Sequence, residues 1–572
     1  MKRMLFSIAA CLLTAGAAFA QPSQPSYEIG GTVFSNDAMR TSDFFTLSQQ
    51  QFNFGTARSM AMGGAFTSLG ADQASMVLNP AGLGMYRRNE IAITPMIVST
   101  KAETAGTGSY LSNSKSRFGL GNIGGVFNLY EGSNRRVMSV NMGIGYTRVA
   151  DFNYNYSFGY APAQGRASIA DAMSVLLEAG GATVDKDGTI RMGNAANWGI
   201  DPFFWPAVAG YKTYLVDRNA QGVWYPAEIG VNADIEGGTA LRSRGSIGEI
   251  DFAVGANLDN KLYVGVTIGV QTVYRKQSLY YGEAYSYGGG NGYDSPERAV
   301  YADGTELTEV MQSMGLSQQT TLDGVGVNLK LGVIYRPVAG LRLGFALHTP
   351  TFYSLERRYD LSMATRALGP TSATDPTTHE YTSDAYSQVL EDEGRNSWDF
   401  VSPTRLMFGI SYTFGNVAIL SADYERAWYN GIRVKNQPYL PWGPAESDFK
   451  EDFKTYFKGS NSLRLGLEVR PVPMVALRAG YGYTGSMLKD KNTILSSPAV
   501  SETNYFTAGL GFNLGRSCFL DVAYCHTKHK LTEYMLFYGN VYGSGGDEIY
   551  ESDRYSTDLK RHQVAVTFGY RF

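Results

Sequence analysis

Gln563-Val564-Ala565-Val566-Thr567-Phe568-Gly569-Tyr570-Arg571-Phe572, the end of the chain, sets Val564, Val566, Phe568, Tyr570 and Phe572 on one face. Gln563, Ala565, Thr567, Gly569 and Arg571 take the other. Alternation of period two belongs to a strand whose two faces meet different media. The pattern recurs. Leu463, Leu465, Leu467 and Val469 oppose Arg464, Gly466, Glu468 and Arg470. Val325, Val327, Leu329, Leu331, Val333 and Tyr335 oppose Asn328, Lys330, Gly332 and Arg336. Strands of packed sheets also alternate, but they are typically about five or six residues long. The segments here often exceed that length and carry aromatics at their ends, as tilted membrane-crossing strands do.

Fourteen such segments begin near 89, 117, 135, 243, 260, 318, 340, 397, 416, 459, 474, 501, 516 and 556. Short connections fall at Glu131 to Arg135, Leu258 to Lys261, Arg336 to Gly340, Gly415-Asn416, Arg470 to Met474 and Gly515-Arg516. Long ones fall at 102 to 116, 161 to 242, 282 to 317, 361 to 396, 431 to 457, 487 to 500 and 535 to 555. Short and long alternate throughout, as periplasmic turns and extracellular loops do in an even-stranded barrel. The region 205 to 242 leaves room for a further hairpin. The expected fold is all-β: a fourteen-stranded antiparallel transmembrane barrel over 89–572, with long insertions at 161–242 and 282–317. An Arg or Lys facing lipid at mid-bilayer costs ~2–4 kcal/mol, so Arg464, Lys330, Arg405 and Arg478 are expected to point inward.

Residues 1–20 read as a signal peptide: Lys2 and Arg3, an apolar run to Leu13, then Ala18-Phe19-Ala20, with cleavage expected after Ala20. Ile8-Ala9-Ala10-Cys11 is a poorer lipoprotein alternative because it leaves a very short apolar region. No later stretch approaches the ~20 apolar residues of a spanning helix. The 66 glycines and 13% aromatics suit strands with one lipid face. A net charge of −3 argues against nucleic acid as a partner. Cys518 and Cys525 sit seven apart in one apparent strand, on opposite faces, which argues against a disulfide between them.

Residues 21–88 lack sustained alternation and are expected to fill the barrel as an N-terminal hatch. They contain Met62-Gly63-Gly64-Ala65-Phe66, Gly70-Ala71-Asp72-Gln73-Ala74-Ser75 and Asn79-Pro80-Ala81-Gly82-Leu83. On these three motifs, with the strand count and the terminal phenylalanine, the chain resembles the FadL-type family of outer-membrane long-chain fatty-acid and hydrocarbon transporters. The resemblance implies a fourteen-stranded barrel with an N-terminal hatch, and places hatch residues at Asn79, Pro80 and Ala81. Gly63, Gly64 and Gly82 are the small residues of the same gate. Asn79 is suited to bond its own backbone while Pro80 fixes φ, which makes a corner; an ordinary turn explains the same residues. Phe568, Tyr570 and Phe572 are the expected C-terminal signal to the barrel-assembly machinery.

Two amphipathic helices are expected in extracellular loops. Ser168 caps one bearing Ile169, Met173, Leu176 and Leu177; Thr305 caps another bearing Leu307, Val310, Met311 and Met314 and closed by Gly315. With Trp198, Phe203, Phe204 and Trp205 they form a candidate apolar groove. The same side chains equally make a packed lid core. Inward charges such as Arg464, Glu468, Arg470, Arg478, Asp423 and Glu425 bind a ligand carboxylate or pair with each other, pairing being the simpler use. Gly143 and Gly145 mark a candidate kink for lateral exit. Catalytic readings fail: Gly119-Leu120-Gly121-Asn122-Ile123-Gly124 precedes no helix, and no G-x-S-x-G occurs. His526 and His529 fall on opposite faces, and Asp185-Lys186-Asp187-Gly188 lacks the distant glutamate of a calcium loop.

The expected function is therefore passive uptake of small hydrophobic molecules across a Gram-negative outer membrane, with an apolar ligand and membrane lipid as partners and no cofactor, metal or catalysis. The rivals are a surface shuttle of type IX secretion, whose partners are secreted proteins, and a barrel enzyme.

Overall fold

A computed structural model describes residues 26–51, 54–106, 109–132, 136–287, 309–369, 378–385, 396–438, 444–490, 493, 495, 498–543 and 546–572. The signal peptide and Leu307 lie outside the described residues. Fourteen antiparallel strands close a barrel. They are β1 (Glu90–Gly106), β2 (Ser109–Glu131), β3 (Val137–Asp151, resumed as Tyr154–Gln164), β4 (Asp234–Leu258), β5 (Leu262–Ser286) and β6 (Val310–Tyr335). Then come β7 (Leu341–His348 and Phe352–Leu368), β8 (Thr378–Ala385, Ser397–Val401 and Arg405–Phe414), β9 (Ala418–Trp428) and β10 (Gly459–Val472). The last are β11 (Val475–Thr484), β12 (Val500–Leu514), β13 (Cys518–Leu531) and β14 (Arg554–Arg571). β14 closes on β1, with Arg571 opposite Glu90 and Ser556 opposite Ala105. Closure pairs every strand with a neighbour on each side through the membrane-crossing part of the ring, the condition for backbone in lipid.

The outer face carries the apolar half of each alternating pattern. Ile97, Phe252, Ile268, Val325, Leu465, Val564, Phe568 and Phe572 are all exposed and ring the outside. Their inward neighbours are polar and buried, including Arg464, Lys330, Arg405 and Arg478, which point inward as their cost in lipid demands.

The strands are longer than the apolar alternation indicates. β5 has 25 residues, roughly 80 Å at ~3.3 Å each, whereas crossing a bilayer takes ~9–11. Segments expected as loops are therefore wall. The connection placed at 102 to 116 is strand up to Gly106 and again from Ser109. The insertion placed at 161–242 narrows to 165–233, and that at 282–317 to 287–309. Beyond the membrane the outward face turns to Ser, Gly, Thr and charge, so apolar periodicity stops while the hydrogen-bond ladder continues into water. For the same reason the helix expected after Thr305 is wrong over the described residues: Val310, Met311 and Met314 begin β6, paired with β7. The extra hairpin is a small one, Val216–Arg218 with Trp224–Pro226, outside the barrel wall.

The inward charges are paired. Arg464 lies 2.8 Å from Glu425 and 3.8 Å from Asp423, and Arg405 is 2.8 Å from Glu425. Arg478 reaches Glu468 at 2.7 Å and Asp521 at 2.5 Å, and Arg470 reaches Glu468 at 2.8 Å. Lys330 bridges Glu249 and, at 2.8 Å, Asp251. Lys330→Met strands two buried carboxylates beside each other. The expected loss is about 3–5 kcal/mol, read as a lower temperature for the shift from folded to unfolded mobility on a gel.

Candidate ligand-binding site

Residues 54–86 are packed against the inner wall. They include α1's successors in the N-terminal segment, namely α2 (Ala57–Ala61) and α3 (Ser75–Leu78), with α1 (Thr41–Leu47) preceding them. Asn79 sits at a corner: its Oδ1 accepts from the Ala81 N–H at 3.1 Å, and its Nδ2 donates to the Thr67 carbonyl at 2.6 Å. The Tyr505 hydroxyl donates to the Gly63 carbonyl at 2.9 Å, and Gly63 N–H donates to Thr507 at 3.1 Å. Thr67 N–H donates to Asp423 at 2.8 Å, and Arg58 lies 3.2 Å from Glu468. The segment and the wall thus share one polar network.

This fit requires glycine on the wall. A Cβ at Gly332 would stand 1.9 Å from Asn79 Oδ1, at Gly265 2.3 Å from the Pro80 carbonyl carbon, and at Gly480 2.2 Å from the Gly63 nitrogen. Gly344, Gly409 and Gly466 meet Thr67, Ser68 and Met62 in the same way. The wall therefore has a seat for backbone, one glycine on each of β5, β6, β7, β8, β10 and β11. Gly63 and Gly64 themselves have φ of +65° and +69°, where a side chain would be strained. Gly82 packs against Ser75.

Above the segment the interior becomes apolar. The helix expected after Ser168 is present as α4 (Ile169–Ala179), Ser168 accepting from the Ala170 N–H. Met173, Leu176 and Leu177 pack with Phe203, Phe204 and Trp205, the last opening α5 (Trp205–Lys212). Trp198 is partly buried against the same cluster, and its carbonyl accepts from the Trp205 indole at 3.3 Å. Val310, Met311 and Met314 join from β6, with Tyr156, Phe158, Tyr281, Tyr359 and Met363 from the extended wall. Phe158 stacks on Tyr555 at 3.7 Å and Trp205 on Tyr359 at 5.7 Å between ring centres. The expected groove residues are brought together, but as a closed core.

Sequence reasoning missed a second apolar cluster. Phe44 and Phe45 of α1 pack against Trp398, Phe400 and the extracellular helix α6 (Glu446–Tyr456) through Phe449 and Phe453. The Phe44-Phe45 pair was the available signal. Beside it Asp43 bridges Arg275 and, at 3.5 Å, Arg357. Burial pushes the Asp43 carboxyl up, but the two guanidinium groups outweigh it and hold it below the usual range. In the loops, burial, with a smaller push from neighbouring carboxylates, raises Asp171 and Asp452 to about 6.

Among the described residues the wall is interrupted between β2 and β3 on the extracellular side. The β2–β3 ladder runs from Asn122 opposite Thr147 to Glu131 opposite Ser139. Above it, side chains replace backbone bonds: Asn113 to Ser157 at 2.8 Å, Lys115 to Asn155 at 3.2 Å, Arg117 to Asn153 at 2.7 Å. β3 bends at Asp151–Asn153, opposite Gly245 with φ +136°. The kink is therefore not at Gly143 and Gly145, which pair regularly with β4 and make room for Met76.

Gly480→Val should unseat the N-terminal segment and make cells sensitive to vancomycin, which an intact outer membrane excludes. Gly431→Val, where an added Cβ meets nothing, should leave resistance unchanged.

No protein-family model matches the chain, and no curated protein matches it. Solved structures similar to it include the P. putida toluene transporter TodX, at 13% identity and TM-score 0.48, covering 91% of this chain and 99% of that one. The Ralstonia pickettii toluene transporter TbuX matches at 14% identity and TM-score 0.43, covering 91% and 99%. A Pseudomonas aeruginosa FadL homologue matches at 10% identity and TM-score 0.46, covering 91% and 98%.

Proposed function

We propose that the chain is an outer-membrane transport protein through which small hydrophobic molecules, such as long-chain fatty acids, diffuse passively, with residues 21–88 as the gating hatch. The observation that carries this reading is the two-layered interior: aromatic and methionine side chains above, an ion-paired polar seat below. A pore for water-soluble solutes needs polar lining along its length. Here only an apolar molecule can replace the upper core side chains without leaving polar groups unbonded. Met173, Met311, Met314 and Met363 suit such exchange because the thioether chain repacks readily.

In this reading a ligand parts the loop core around Met173, Leu176, Leu177, Trp198, Phe203, Phe204 and Trp205, then descends to the hatch. Asn79, Pro80 and Ala81 are the corner it meets there. Exit runs sideways between β2 and β3, where three side-chain bonds stand in for the ladder. Behind that slot a cavity of only about 10 Å³ lies among Phe54, Val77 and Arg148, so the resting path is shut. The driving term is burial of ligand surface, about 0.8 kcal/mol per methylene. Gln21 begins the mature chain, and the barrel-assembly machinery inserts it by way of Phe568, Tyr570 and Phe572.

The test is binding of a saturated fatty-acid series to the purified protein, with mass analysis of small molecules extracted from it. Affinity should rise with each methylene, by up to fourfold or so per carbon at about 0.8 kcal/mol. Affinity independent of chain length, together with a stably copurifying secreted protein, contradicts transport and favours the secretion shuttle.

A further inference from the structure

Three cations lie on the outside of the wall where it leaves the apolar belt, and two more, Lys115 and Arg117, reach toward them from the face of β2 opposite Phe118. Arg244 stands directly opposite Lys276 in the β4–β5 ladder, and Arg242 follows two residues along on the same face. Adjacent strands are ~4.8 Å apart and alternate residues ~7 Å, so the three heads share an area little wider than one phosphate pair. From β2, Lys115 donates to the Ser243 carbonyl at 2.9 Å, which puts its ammonium between Arg242 and Arg244. Arg117 is the next residue on that face. Among the described residues none of the five enters an ion pair. The carboxylates nearby are taken: Asp151 is buried and held by Arg148 at 3.0 Å, and Asp323 by Arg358.

Their height is fixed by their neighbours. Tyr274, 43% exposed, lies two residues toward the membrane from Lys276, and Phe118, 71% exposed, adjoins Arg117. The long-connection end of the barrel is the extracellular one, so the cations sit level with the headgroups of the outer leaflet. Directly beyond them, away from the membrane, an open groove of about 830 Å³ runs over the outside of β4 to β8. Gly238, Ala240, Ala284, Ser317 and Ala364 floor it. The Tyr280 side chain lies across it, its hydroxyl 2.9 Å from where a Cβ on Gly282 or Gly315 would stand.

We propose that this surface holds one molecule of phosphorylated glycolipid from the outer leaflet. Its acyl chains lie along the apolar belt, its lipid A phosphates rest on Arg242, Arg244, Lys276, Lys115 and Arg117, and its first sugars occupy the groove beside Tyr280. Charge complementarity selects this occupant: a concentrated positive patch whose nearest carboxylates, Asp151 and Asp323, are already paired is, at that depth, costly beside neutral headgroups and favourable beside phosphates. Glu236 and Glu380 lie further along the groove. Free phosphate lacks the chains and sugars that use the belt and the groove. Because Lys115 and Arg117 also bridge the β2–β3 slot, the bound lipid braces the wall there. The proposal rests on the outer-membrane placement and not on the uptake cycle.

Native mass spectrometry of the detergent-solubilised protein tests it, with bis-phosphorylated lipid A, its chemically dephosphorylated counterpart and inorganic phosphate as probes. The unaltered protein should retain bis-phosphorylated lipid A. An Arg242→Gln, Arg244→Gln, Lys276→Gln variant should lose about a hundredfold in affinity, since each cation near an anionic lipid surface contributes on the order of a factor of five or more. Lys261→Gln, in the turn at the other end, should change nothing. Equal retention of dephosphorylated lipid A, undiminished binding by the triple variant, or displacement by inorganic phosphate alone overturns the proposal. If the triple variant fails the heat-mobility test of folding, Arg244→Gln and the two-lipid comparison on the unaltered protein decide. Fatty-acid binding, measured separately, reports on uptake whatever the outcome here.

Discussion

A closed ring of fourteen strands satisfies its own backbone, but it encloses a space, and inside this one the N-terminal segment brings main chain as well as buried side chains against the wall. Between Thr56 and Tyr86 the N-terminal segment brings its peptide groups into bonding distance of the wall: Ala57 to Thr567, Gly63 to Thr507, Thr67 to Asp423. Carbonyls are served likewise, Asn141 donating to Leu83 at 2.8 Å and Gln73 to Gly124 at 2.8 Å. Such closeness is impossible across side chains, which is why the wall presents glycine where the segment passes. Seat and segment are one design feature. Each unmet buried polar group would cost about 1–3 kcal/mol, so the segment leaves only as a unit with replacement partners, water or a neighbouring strand.

The interior charges belong to this constraint rather than to ligand chemistry. Glu468 serves Arg58 of the segment and Arg470 and Arg478 of the wall together, and Asp423 serves both Arg464 and the Thr67 amide. Removing any one leaves several others unbonded. Apolar contact is most extensive above, where the wall rises clear of the membrane and the loops close over it; below, smaller apolar clusters such as Phe54, Met60 and Met96 sit among the charges. This division of the interior gives the extracellular part of each strand a buried inner face to form around.

Much of this was legible in the residues. Strand number, order and facing followed from alternation, because lipid outside and polar lumen inside put opposite demands on successive side chains. Arg464, Lys330, Arg405 and Arg478 were placed inward by cost alone. Asn79 and Pro80 read as a corner from their local chemistry. The α4 cap at Ser168 was likewise local. What failed was non-local. Val310, Met311 and Met314 have helical spacing, yet they pair with β7, and nothing near them in sequence announces that partner. Strand heights were underestimated because the apolar signal ends with the membrane while the ladder does not. The bend at Asp151–Asn153 depends on Gly245, almost a hundred residues away, so the glycines within β3 drew attention to the wrong place.

The claim on which the rest turns is that the chain's own beginning seals the ring. Planar-bilayer conductance of the intact protein and of a form lacking residues 21–88 measures it most directly. The intact protein should be electrically silent and the shortened barrel should pass a large, steady current. A shortened barrel that is folded and inserted but equally silent would contradict the account, because the extracellular core would then be the seal.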